Sequence, residues 1–139
     1  MKVLECSSKG DKRFSAFYAM VEVNGITASI ENHYQLSKRI GDFTPKTWRD
    51  VKGKKPTHFV VNGKSCELKL LSQWYELLWV KYFINNPELL AYAQSFDEYN
   101  DMFKGKALNC QSDVIRKICR HSVRYVFNDC VELVNILRK

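Results

Sequence analysis

The chain has 139 residues, of which 45% are hydrophobic and 27% charged, enough for one domain with a real core and too few for two comfortable ones. Its formal net charge of +7 makes polyanions the natural partners without constraining the fold. No segment approaches the ~18 uninterrupted apolar residues of a membrane helix, and residues 1–12 hold no apolar run of signal-peptide length. One cytoplasmic domain that does not engage a membrane is expected.

Taken in order, Lys2 to Cys6 reads as a short strand and Ser7 to Lys12 as a polar turn. Phe14, Phe17 and Tyr18 form a dense aromatic stretch, with Phe14 assigned to the core. Val21-Glu22-Val23 and Ile26-Thr27-Ala28 flank Asn24-Gly25, the pair that best takes the two positive φ angles of a type I′ hairpin turn. Ser29 is a good helix N-cap, so a helix starts there with Glu31 in its first turn. Along it Glu31, Gln35 and Lys38 share a polar face, while Ile30, His33, Tyr34, Ser37 and Ile40 trace a mostly apolar one. At 1.5 Å per residue, Lys38 lies about 10 Å along the axis from Glu31. Such acidic-to-basic ordering is also what the macrodipole favours on any solvated helix. His33, on the packing face, reads as a structural histidine.

Gly41 and Pro45 close that helix, and Thr47-Trp48-Arg49-Asp50 begins a short irregular or helical piece. Trp48, between Lys46 and Arg49, either stacks on a ligand beside phosphate-binding charges or covers the core. Lys52-Gly53-Lys54-Lys55 forms a basic loop. Phe59-Val60-Val61-Asn62-Gly63 repeats the pattern of a strand followed by Asn-Gly. Gly63-Lys64-Ser65 is no phosphate loop, because the position that must be the first glycine is His58.

From Cys66 to Asn85 apolar residues recur at spacings of three and four, which predicts the longest helix and the spine of the core. Asn86 and Pro87 start a further helix that ends near Ser95. Phe96 to Phe103 reads as a loop or single turn, and Lys104-Gly105-Lys106 as a turn. Ser112-Asp113 opens a helix to about Tyr125, and Asn128-Asp129 caps a last helix to Leu137 or continues the previous one through a kink. The fourfold spacing of Arg116, Arg120 and Arg124, beside Lys117, places cations on one side of a helix. The five cysteines include no C-x-x-C pair, and Cys110, Cys119, His121 and Cys130 match no usual zinc spacing, so reduced thiols and no metal are expected. The fold class is α+β, mainly helical, with a small antiparallel sheet.

Several of these segments carry a family resemblance. Phe14-Ser15-x-Phe17-Tyr18, then Gly25, then Ser29-x-Glu31-x-x-Tyr34-Gln35-x-x-Lys38, then Lys81-Tyr82-Phe83 with Asn86-Pro87-Glu88-Leu89 follow one order. They resemble the F-S-N-F segment, hairpin glycine, S-x-E-x-x-[YF]-Q-x-x-K helix and K-F-x-x-N-P-E-L junction of the NADAR family, named for its association with NAD and ADP-ribose. Ala16 stands where the family has Asn. The family's closing D-x-x-W-G and G-x-N-x-L-G elements are replaced by the stretch from Phe96 to Phe103, Gly105 and Asn109-Cys110-Gln111. The resemblance spans roughly half the chain, as motif matches go.

It implies a NADAR-like fold and hydrolysis of the N-glycosidic bond of an ADP-ribosyl or ribose-phosphate conjugate, an ADP-ribosylated guanine in nucleic acid being one such substrate. Glu31 is the implied carboxylate at the sugar, where cleavage passes through an oxocarbenium-like state. Lys38 is assigned to phosphate or to the leaving group, and Asp101, with Asp97 as an alternative, to a second acidic role. Ser15, Phe17, Tyr18, Tyr34, Gln35, Trp48 and Asn109 complete the expected substrate-binding set, and no cofactor is implied. Two other classes stay open: a nucleotide or ADP-ribose-derivative binder without chemistry, and a small basic nucleic-acid-associated protein using Arg116, Arg120 and Arg124.

Overall fold

A computed structural model describes residues 1–103 and 110–139. The chain runs through β1 (Val3–Glu5), a 3-10 turn (Lys12–Phe14), β2 (Met20–Val23), β3 (Ile26–Ser29), α1 (Ile30–Ser37) and β4 (Lys38–Arg39). A second 3-10 turn (Trp48–Asp50) precedes β5 (His58–Val61), β6 (Lys64–Glu67) and α2 (Leu71–Asn85). Next come α3 (Pro87–Gln94), β7 (Glu98–Asn100), α4 (Gln111–Arg120), α5 (Val123–Asp129) and α6 (Val131–Leu137). The fold is α+β, with six α-helices among the described residues. The expected antiparallel pairing is present in β2–β3 and in β4–β5–β6, but β1 and β7 add a parallel pair.

Local signals explain much of this. Asn24 and Gly25 take φ of 53° and 80°, and Asn62 and Gly63 take 55° and 76°, so both Asn-Gly pairs turn hairpins as their residues predict. The Ser29 hydroxyl accepts from the Asn32 N–H at 3.1 Å and caps α1. Pro87 opens α3 at a position where its missing N–H costs nothing. Asn86, expected to cap that helix, instead donates from its side chain to the Tyr82 carbonyl at 2.8 Å.

Tertiary pairing overrides local preference in three places, and a local cap redraws a fourth boundary. α1 ends at Ser37, because Lys38 turns extended (φ −69°, ψ 148°) and pairs with Phe59 of β5; Lys38 and Ile40 therefore lie beyond the helix. Cys66 belongs to β6, opposite Phe59, and the long helix begins only at Leu71. The presumed loop after Ser95 contains β7, whose Tyr99 pairs with Leu4 of β1. The predicted helix to Tyr125 breaks after Arg120: the Ser122 hydroxyl accepts from the Tyr125 N–H at 2.9 Å and starts α5.

α2 is buried on nearly every side, which is why its apolar residues do not form a single stripe. Trp79 stacks near Phe83 at 5.8 Å between ring centroids and meets Tyr82 edge-on at 5.5 Å, while Phe14 stacks with Phe83 at 6.3 Å. Phe14 is thus in the core, as expected. Among the described residues no helix is long and apolar enough to cross a membrane.

Candidate functional site

The segment after the first 3-10 turn folds over the start of α1. The Ser15 carbonyl accepts from the Tyr18 and Ala19 N–H groups at 3.0 and 2.8 Å, closing a tight turn. The Ile30 and Glu31 N–H groups then donate to the Ala19 and Ala16 carbonyls, both at 2.9 Å. These are first-turn donors that the helix itself leaves unpaired, so the turn at Ser15–Ala19 satisfies them and fixes where α1 begins. On its other side the Ala16 N–H donates to Gln111 Oε1 at 2.7 Å. Gln111 Nε2 donates in turn to Asp101 Oδ2 at 3.0 Å, and Asp101 Oδ1 accepts from the Phe103 N–H at 2.9 Å. Four segments distant in sequence are therefore joined by one run of hydrogen bonds leading from Asp101 to the base of Glu31.

Glu31 is half-buried, and its Oε1 accepts from Gln35 Nε2 at 2.8 Å, one helical turn on. Its Oε2 has no hydrogen-bond partner among the described residues. Tyr34 is buried and meets the Tyr75 ring edge-on at 5.0 Å. Burial pushes the Tyr75 phenol well above its ordinary range, and the nearby Glu31 carboxylate adds to the effect. Tyr75 is thus a neutral, buried neighbour of Tyr34.

At the far end of α1, Lys38 Nζ sits 4.7 Å from the Tyr34 ring centroid. Burial holds its ammonium below the usual lysine range, against the pull of Glu31. Lys38 lines a cavity of about 460 Å³, together with Lys54, Lys55, Leu68, Leu71 and Ser72. Lys38 thus lies over Tyr34, with the Glu31 carboxylate adding a weaker pull on its ammonium.

The remaining expected residues fall into three groups. Gln35, Tyr34 and Lys38 gather around Glu31. Ser15 and Asp101 join the same network but from beneath: they are 0% and 7% exposed. The Ser15 hydroxyl accepts from the Phe17 N–H at 3.4 Å, and both Asp101 oxygens are engaged as described. Asp101 therefore holds Gln111 in place through one oxygen and the Phe103 N–H through the other. Phe17 and Tyr18 are 56% and 49% exposed on the turn above, with Lys12 Nζ 4.7 Å from the Tyr18 ring.

Trp48 is half-buried, flanked by the Arg49 guanidinium at 5.4 Å and Lys52 Nζ at 5.3 Å from its ring. Asp97 does not enter the network; its carboxylate accepts from the Lys2 N–H at 2.7 Å and tethers the start of β1. Asn109 and the expected Lys104-Gly105-Lys106 turn lie outside the described residues. His33 Nε2 is 2.8 Å from the Val21 carbonyl, in a structural role.

The arginine line does not form. Arg116 pairs with Glu98 and Asp113 at 2.8 and 2.7 Å, Arg120 reaches Glu98 at 3.4 Å, and Arg124 belongs to a separate helix. All five cysteines are free thiols. The residues that sequence reasoning left without a role are Gln111 and Tyr75; Lys54 and Lys55 entered it only as part of the basic loop that, with the arginine spacing, points to polyanions. Gln111 sits in the very region that departs from the family pattern, but nothing in its neighbours announces a contact with Ala16. No protein-family model matches the chain, and no curated protein matches it either.

Proposed function

We propose that the protein is a NADAR-like N-glycosidase that hydrolyses an ADP-ribosyl or ribose-phosphate conjugate, ADP-ribosylated guanine in nucleic acid being one candidate. The observation that supports this is the network running from Asp101 through Gln111 and Ala16 to the first turn of α1, which delivers a half-buried carboxylate with one oxygen held by Gln35.

As the bond from the anomeric carbon to nitrogen breaks, its electron pair leaves with the nitrogen and the sugar becomes cationic. The Glu31 carboxylate stabilises that charge and takes a proton from the attacking water, whose oxygen forms the new bond to carbon. The leaving nitrogen takes its proton from solvent. Lys38, over Tyr34, pairs with phosphate.

Release of ADP-ribose from modified DNA or RNA, and of base from riboside phosphates, is the assay. Glu31→Gln keeps the shape and removes the charge, and its turnover is expected to fall by roughly 10²–10⁴-fold. Equal turnover in the two proteins would falsify the assignment. The engagement of both Asp101 oxygens favours one rival, a binder that has lost its chemistry. Stoichiometric binding of ADP-ribose with no conjugate consumed by the wild type selects that reading.

A further inference from the structure

We infer that the cavity between α2 and the tips of the two Asn-Gly hairpins binds a small apolar monocarboxylate, its apolar body held by aliphatic and aromatic side chains and its charge by Lys81. None of the residues lining this cavity belongs to the site around Glu31, so the two stand or fall independently.

Along α2, Trp74, Leu77, Leu78, Lys81 and Ile84 recur at spacings of three and four and so share one face. That face lines a cavity of about 300 Å³. The turns of both hairpins line it too, and the Asn24 side-chain amide donates to the Asn62 side-chain carbonyl, tying one tip to the other. Phe127 of α5 and Leu137 of α6 complete the lining. Ile84 and Phe127 are 59% and 36% exposed, so large apolar side chains meet water at the edge of a concave surface, the mark of a site that has something to bury. A dry cavity of about 150 Å³ takes up benzene. This one, about twice as large, has room for a fused ring pair or a short alkyl chain.

The charge of the ligand follows from Lys81, the one charged residue among the described residues that line the cavity. Its carboxylate neighbour Glu22 stands 3.7 Å away, beyond hydrogen-bond reach, and the two side chains are 43% and 56% exposed. A pair so placed contributes little, and the ammonium keeps donors for another anion. A lysine on an apolar wall lays its methylenes along that wall and holds its ammonium toward water. The ligand's carboxylate therefore belongs at the mouth and its rings or chain inside. A single cation matches a single negative charge, whereas a neutral apolar molecule gains the burial without the pairing. Lys81 was singled out in the sequence by its place before Tyr82-Phe83, and it has no part in the reaction proposed above.

The test is calorimetric titration of the full chain with 2-naphthoate and with its uncharged analogue 2-naphthalenemethanol. One naphthoate is expected per chain, bound about fivefold more tightly than the alcohol, the gain of one half-exposed ion pair. Lys81→Gln brings the two affinities together. Glu22→Gln removes the competing carboxylate and tightens naphthoate alone. Ile84→Glu sets a like charge at the mouth and weakens naphthoate by roughly tenfold. None of these three side chains is buried, and unfolding midpoints verify that the variants fold. Absence of saturable binding by either compound, equal affinity for the acid and the alcohol, or a preference for the acid that survives in Lys81→Gln overturns the inference. Neither compound carries a sugar, so the result is separate from that of the hydrolysis assay.

Discussion

Gln111 accepts from Ala16 through one end of its amide and donates to Asp101 through the other, at 6% exposure. Truncating it removes the partner of a buried N–H and the closer of two donors to a buried carboxylate oxygen, and each such loss carries a desolvation cost. Gln111→Ala is therefore expected to destabilise the protein by about 2–3 kcal/mol in denaturant unfolding. It also loosens the turn over α1, so turnover should fall even where the variant is fully folded. Unchanged stability and unchanged turnover would remove the positioning role assigned to this side chain. Glu31 and Gln35, one helical turn apart, were legible from spacing alone, since a helix places such a pair on one face. The Gln111 contact was not legible, because the partner is a backbone group 95 residues away.

Between elements, β7 is held to α4 by Glu98. Its own chain's Tyr99 N–H, and then the Arg116 guanidinium, bring the Glu98 carboxyl down to about 2 from an ordinary 4.5. A carboxylate depressed in the folded state stabilises the fold above the unfolded value and loses that contribution as pH falls through the folded one. The effect belongs to the window from about pH 4.5 to about pH 2. Wild type and Glu98→Gln should accordingly differ in unfolding midpoint at pH 6 and converge as pH approaches 2, in thermal melts at stepped pH. A constant difference across that window would show that Glu98 acts through packing and not charge. The same pairing explains why the arginine spacing does not produce one line of solvated cations: in the folded chain two of the three guanidinium groups face a carboxylate on β7. That carboxylate belongs to a strand the local sequence does not announce.

For the molecule as a whole, a core centred on α2 encloses most of the thiols. Cys6 and Cys130 are fully buried and Cys66 nearly so. Burial pushes the Cys6 thiol well above its ordinary range and that of Cys130 to about 12. Thiolate, not thiol, is the nucleophile. An aromatic disulfide reagent should therefore modify Cys110 or Cys119 in the native state and reach Cys6, Cys66 and Cys130 only as denaturant unfolds the chain. Peptide mapping of the modified protein checks this, and prompt native labelling of Cys130 would contradict the packing of α2 against α5 and α6.

The sequence by itself determined the elements whose physics is local. Asn-Gly pairs turn hairpins because they tolerate positive φ, Ser29 caps because its oxygen meets an adjacent amide, and the apolar spacing of α2 reports a helix within its own length. Only the tertiary structure decided where those elements stop and what they meet. The end of α1 at Ser37, the strand β7, and the gathering of Lys38 with Lys54 and Lys55 all depend on partners far along the chain. The physical reason is range: a turn or cap is settled by neighbours within a few residues, whereas strand pairing and site assembly follow from which surfaces the collapsed core brings together.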